Sequence, residues 1–148
     1  MKMCICEFPD EEEQELEAWE ALAEHTSDTE PDLVVLPEMP FCEWIFVGDV
    51  VDMPKWRDAM ARHTHMIERF SELTCRWVTS SRPVEHDSQR YNEAFLWSPS
   101  GGCQPTRRKW YLPDAPTARE TIWFNQAIET LSQSLASLSA WGTSCVAR

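Results

Sequence analysis

The hydrophobic positions of this chain follow two periods. Residues 2–7 read as a short strand, with Cys4 and Cys6 on one side of it. From Glu11 to about Thr26 the period becomes helical: Leu16, Trp19, Leu22 and Ala23 form one apolar stripe. Leu33 to Leu36 is apolar throughout, which predicts a second strand buried on both faces, and Pro37 stops it. A second helix is predicted from Pro54 to Leu73, with proline in its first turn and Trp56, Met60, Met66, Ile67 and Phe70 broadly on one side. Arg76 to Ser80 reads as a third strand, followed by a polar turn from Arg82 to Gln89. Tyr91 to Trp97 is a fourth, with Tyr91, Glu93 and Phe95 alternating against Asn92, Ala94 and Leu96. Ser98-Pro-Ser-Gly-Gly102 marks a hairpin turn, and a short return strand runs into Arg107-Arg-Lys109. Strand–helix–strand–helix–strand followed by a hairpin predicts an α/β layered fold.

Charge narrows the functional classes. The chain of 148 residues carries 25 acidic side chains against 13 Lys and Arg, a formal charge of −12, and such a surface repels nucleic-acid phosphates. No apolar run approaches the roughly 20 residues that cross a bilayer, so no membrane partner is expected. The first residues lack a secretory apolar stretch and cleavage site, so a cytoplasmic location is expected. There is no GxGxxG and no Walker loop to hold a nucleotide, and a flavodoxin-like ligand binder finds no phosphate loop. The six cysteines form no CxxC pair and no cluster at zinc spacing, and Cys4 and Cys6 read as small buried hydrophobes. His63 and His65 sit two apart in a helical pattern, so their side chains diverge. No metal and no cofactor are expected.

Three residues carry the candidate chemistry. Glu38 follows the second strand directly, bracketed by Pro37 and Pro40, at the carboxyl end where sheets of this kind place their ligands. Lys109 follows the return strand of the hairpin, and Glu120 lies in Ala118-Arg-Glu-Thr-Ile-Trp-Phe124. Each alone is an ordinary polar residue. Together they suit acyl transfer at an amide: a carboxylate as base, an ammonium for the developing oxyanion, and a second carboxylate to tune them. Phe41, Trp44 and Phe46 form either an apolar wall beside that site or core.

The residues Pro31-Asp-Leu-Val-Val-Leu-Pro-Glu-Met-Pro-Phe41, then Tyr91-Asn-Glu-Ala94 ahead of Pro99-Ser-Gly101, then Arg108-Lys109 with Leu112-Pro-Asp114, then Trp123-Phe124, resemble the nitrilase superfamily of carbon–nitrogen hydrolases in order and spacing. The resemblance covers positions 1 to about 126. It implies the first half of an α-β-β-α sandwich, with Glu38 as general base, Lys109 as the oxyanion-stabilising lysine and Glu120 as the auxiliary glutamate. It also implies a small amide or nitrile as substrate, a cysteine thioester intermediate, and a homo-oligomer for the full-length domain.

The nucleophile motif of that family, a strand ending in cysteine, is absent. Cys42 is too close to Glu38, Cys103 precedes the lysine, and Cys145 stands in no strand-like setting. Residues 127–148 depart from the pattern altogether. Ile128, Leu131, Leu135 and Leu138 allow an amphipathic helix there. Codons begun one base early, at the last base of the Gln126 codon, permit Gly-Asp-Arg-Asp-Phe and later Leu-Cys-Ser-Glu, the continuation the family pattern calls for. The expectation is therefore a hydrolase-type fragment, out of frame after Gln126 and inactive alone. The alternative is a non-enzymatic interaction module on the same scaffold.

Overall fold

The computed structural model describes residues 1–127 except Asp10, Val47, Pro116 and Thr117; the tail discussed above from 128 onward lies outside the described residues. A five-stranded sheet runs β1 (Met3–Ile5), β2 (Leu33–Val35), β3 (Trp77–His86), β4 (Gln89–Ser98), β5 (Gly102–Arg108), in that spatial order. The first three strands are parallel and the last three form an antiparallel meander. Helix α1 (Glu12–Thr29) links β1 to β2, and α2 (Met53–Glu68) with a following 3-10 turn (Arg69–Glu72) links β2 to β3. A small ribbon, β6 (Asp114–Ala115) with β7 (Ala118–Arg119), leads into the single turn of α3 (Glu120–Trp123). This is the expected α/β layered arrangement, with the five strands in one mixed sheet.

Local chemistry accounts for the elements. Asp52 caps α2, its carboxylate accepting from the Lys55 amide at 3.1 Å, and Pro54 sits where a missing amide hydrogen costs nothing. Glu30, in the left-handed region at φ 45°, ends α1 by donating its amide to the Thr26 carbonyl. Asp87 and Ser88, at φ 50° and 61°, make the two-residue turn between β3 and β4 that matches strand twist. Strand pairing therefore continues through Arg82–His86, where a polar turn was expected. Arg82 stays in the ladder because its guanidinium meets Glu93 across the strands, Nη2 to Oε1 at 3.0 Å.

One face of the sheet carries the core. Cys4, Val34, Val78, Trp97 and Cys103 lie in one register row. Trp19 and Leu22 of α1, Met66 of α2, Phe41, Phe70 and Phe95 pack with that row. Both crossovers join neighbouring parallel strands in the same direction, and a common crossover hand places both helices on one side. Burying each large side chain there contributes about 2–3 kcal/mol before entropy. A second cluster gathers Phe46, Trp56, Ala59, Trp123 and Phe124. Phe41 and Phe46 are thus core, whereas Trp44 is exposed.

The opposite face corrects one expectation. Of the apolar β2 strand only Val34 is buried; Leu33 and Val35 are half-buried, in register with Trp77 and Thr79. Continuous apolarity predicted two covered faces, but both helices lie on the Val34 side. Met3 and Ile5 on this second face are exposed.

Candidate active site

The site is assembled where the parallel strands end. Leu36 donates its amide to the Thr79 carbonyl at 3.0 Å, which carries the chain past β2 alongside β3. The Ser80 hydroxyl then donates to the Pro37 carbonyl at 2.6 Å, and the Met39 amide donates to the Ser81 hydroxyl at 3.2 Å. Glu38 is held between these two clamps. Met39 has φ 47°, a left-handed turn that a side-chain-bearing residue adopts at some cost, so its backbone is over-determined by its neighbours. The two prolines around Glu38 remove alternative conformations from the unfolded chain.

Lys109 is placed by the antiparallel half of the sheet. Its amide donates to the Asn92 carbonyl at 2.8 Å, extending the β4–β5 ladder by one rung. The Asn92 side-chain amide donates to Glu38 Oε1. Asn92 is buried, so one residue fixes the backbone of the lysine and the carboxylate of the acid. Glu120 arrives from a third direction: its amide donates to the Pro113 carbonyl at 3.0 Å and its carbonyl accepts from Phe124 at 2.8 Å. Arg90 clamps the same segment, donating Nε to the Trp123 carbonyl at 2.8 Å.

The three sequence-derived candidates converge. Lys109 Nζ donates to Glu38 Oε1 at 2.7 Å and to Glu120 Oε1 at 3.0 Å. Glu120 Oε2 is also near, 2.9 Å from the ammonium, but makes no aligned hydrogen bond with any described group. Exposure differs sharply across the set: the Glu120 side chain is 2 % exposed, that of Lys109 25 % and that of Glu38 41 %. Burial pushes the Glu120 carboxyl up, and the nearby Glu38 charge adds to this, against the pull of the Lys109 hydrogen bond and charge. At Lys109 burial works downward, but hydrogen bonds to both carboxylates and their charges outweigh it, and the ammonium is held above its usual range.

Beside this triad lies a cavity of about 220 Å³, lined by Glu38, Ser81, Asn92, Ala94, Arg107 and Lys109 among others. It opens on the sheet face opposite the helices, since Ser81, Ala94 and Arg107 share one register row there. No described cysteine lines it. Cys4, Cys6, Cys75 and Cys103 pack against the main core, with burial raising Cys6 to about 12 and Cys75 to about 11. Cys42 lines a separate cavity with Ala59 and Arg62, and Cys145 lies outside the described residues. His63 is buried and His65 exposed, as divergent helix positions require. Among the described residues no group of three metal-ligating side chains forms, and no helix is long and apolar enough to cross a membrane.

Asn92 and Arg107 carry no functional assignment in the sequence reading. The alternation of β4 was the available signal, since it separates Asn92 and Ala94 from the core-facing Tyr91, Glu93 and Phe95.

Neither family models nor characterised protein sequences match this chain. Solved structures do, and the likeness is one of fold: the chain folds as carbon–nitrogen hydrolases do over part of their length. A carbon–nitrogen hydrolase from Helicobacter pylori G27 superposes with TM-score 0.61 at 19 % identity, over 86 % of this chain and 43 % of that one. An amidase from Nesterenkonia sp. gives 0.60 at 17 % identity, over 87 % and 49 %. A cysteine-to-alanine variant of the amidase from Nesterenkonia sp. AN1, in complex with butyramide, gives 0.56 at 18 % identity, over 87 % and 49 %. The chain spans about half the length of these proteins or slightly less.

Proposed function

We propose that residues 1–126 are the N-terminal part of a carbon–nitrogen hydrolase domain, carrying the base and the oxyanion site for cleavage of a small amide. The observation that carries this reading is the Lys109 ammonium held between Glu38 and Glu120 beside an open cavity. In the proposed chemistry, Glu38 accepts the proton of a cysteine thiol, the thiolate attacks the amide carbon, and Lys109 stabilises the oxyanion that forms. Glu38 is the more exposed carboxylate and faces the cavity, which suits a group that exchanges protons with substrate. Glu120, buried behind the lysine, suits a role in holding the ammonium charged and in place.

The thiol is the missing component, because no described cysteine reaches the cavity. The 148-residue chain on its own is therefore proposed to bind amide without turning it over, and its tail after Gln126 to be foreign to the domain. Binding is tested by titrating the isotope-labelled chain with butyramide and following the backbone amides of Ala94 and Lys109. Shifts at these positions at millimolar ligand are the expected result, and their absence overturns the amide assignment. Ammonia release from butyramide, measured beside Cys145→Ala, tests inactivity: turnover that disappears in the variant would make Cys145 the nucleophile. A non-enzymatic interaction module is the second reading, favoured by the exposed Met3 and Ile5 on the helix-free face.

A further inference from the structure

We infer that Arg107 makes the cavity selective for amides bearing a carboxylate at their far end, the monoamides of short dicarboxylic acids; the inference rests on the amide reading above and names its substrate class. Arg107 and Lys109 are alternate residues at the end of β5, so both project to the same face, about 6.8 Å apart along the strand. Arg108 between them turns to the core side, where its guanidinium meets Glu93 at 3.5 Å and lies over the Tyr91 ring. The two cations on the cavity side differ in what they hold. Lys109 is engaged by two carboxylates, whereas no described carboxylate lies within ion-pair distance of Arg107.

Arg57, Arg76 and Arg90 likewise meet no described carboxylate, and of these four arginines Arg107 is the one that lines the cavity beside Lys109. Arg82, Arg108, Arg62, Arg69 and Arg119 each have a carboxylate partner. The floor between Arg107 and Lys109 is made by Ala94 and Ser81, small side chains that leave room for a slender aliphatic linker. An amide carbon seated at Lys109 thus has its far substituent carried along the strand toward a guanidinium fork, the group that pairs carboxylates bidentately. A neutral aliphatic amide of equal length would leave that fork to water.

Butyramide and succinamate provide the test, since they differ chiefly by a terminal methyl against a carboxylate. Both are titrated into the full chain, with dissociation constants read from the Ala94 and Lys109 amide shifts. Succinamate is expected to bind about fivefold tighter at low salt, with the advantage shrinking in about 0.5 M NaCl. In Arg107→Gln the two ligands are expected to bind alike, and Arg107→Lys should restore part of the difference. Arg107 is exposed, so both variants are expected to keep the wild-type amide spectrum. Equal affinities in the wild type, or an advantage that survives Arg107→Gln, would overturn the anionic preference while leaving the amide site intact. Failure of both ligands to bind would remove the amide reading and this inference together.

Discussion

Replacing Lys109 by methionine removes the ammonium and leaves the aliphatic stem. Glu120, 2 % exposed, then loses its one oppositely charged partner among the described residues while Glu38 remains nearby with a like charge. Breaking a fully buried pair on one side costs about 3–5 kcal/mol. Glu38 keeps 41 % of its side-chain exposure and Lys109 25 %, so the lower end, about 3 kcal/mol at pH 7, is expected. The cost must depend on pH. Without Lys109, the Glu120 carboxyl in the folded protein rises further above its unfolded value near 4.3, so the folded state binds the proton more tightly. The penalty is therefore full at pH above the folded value and fades as pH falls toward the unfolded one. Urea denaturation of Lys109→Met at pH 7 and pH 5 measures this, and the double variant Lys109→Met/Glu120→Gln should recover most of the loss. A pH-independent loss, or a double variant no more stable than the single one, would show that the two head groups do not share a buried site.

Two further perturbations probe the surroundings of the site. His63 is buried against Phe41, donates Nδ1–H to the Ala59 carbonyl at 2.7 Å and has no described partner at Nε2; burial, then Arg62 and Arg82, bring it down to about 4. Its proton affinity in the fold is below that of the unfolded chain, so stability is full above about pH 6.5 and falls by about 3 kcal/mol toward pH 4; His63→Gln should flatten that part of the profile in denaturant titrations. Glu93, 7 % exposed, is met by Arg82 at 3.0 Å and Arg108 at 3.5 Å. Glu93→Gln should cost about 2–3 kcal/mol by thermal melting and broaden the Lys109 amide resonance, because the strand that carries Arg108 also carries the lysine.

How much of this was legible beforehand follows from the range of the forces involved. The crossover helices and the short parallel strands announce themselves through local periodicity, as with Trp19, Leu22 and Ala23 on one core-facing stripe, although Leu16, expected on that stripe, is exposed. Glu38 was legible because it sits at the end of an apolar strand and Lys109 because it ends the return strand of a hairpin, and strand ends converge in a layered sheet. Their chemical roles rest on the proposal. The length of β3 was not legible. Arg82 to His86 is polar by composition, and only pairing with β4 makes it strand. The ribbon and single turn around Glu120 escaped for a related reason: elements this short have little intrinsic preference and are held by contacts from elsewhere, such as Arg119 to the Phe46 carbonyl and Asn125 to the Arg90 carbonyl.

The amino-acid order alone determined the two crossover helices and the central part of each main strand, and that an acid and an amine stand at strand ends. Only the tertiary structure decided that Glu120 is buried behind the lysine, that Asn92 ties the Glu38 carboxylate to the Lys109 backbone, and that one sheet face takes both helices. Periodicity encodes which side of an element is apolar, because that is a property of residues a few positions apart. It does not encode which groups meet across dozens of positions, because those distances depend on how the sheet stacks and twists.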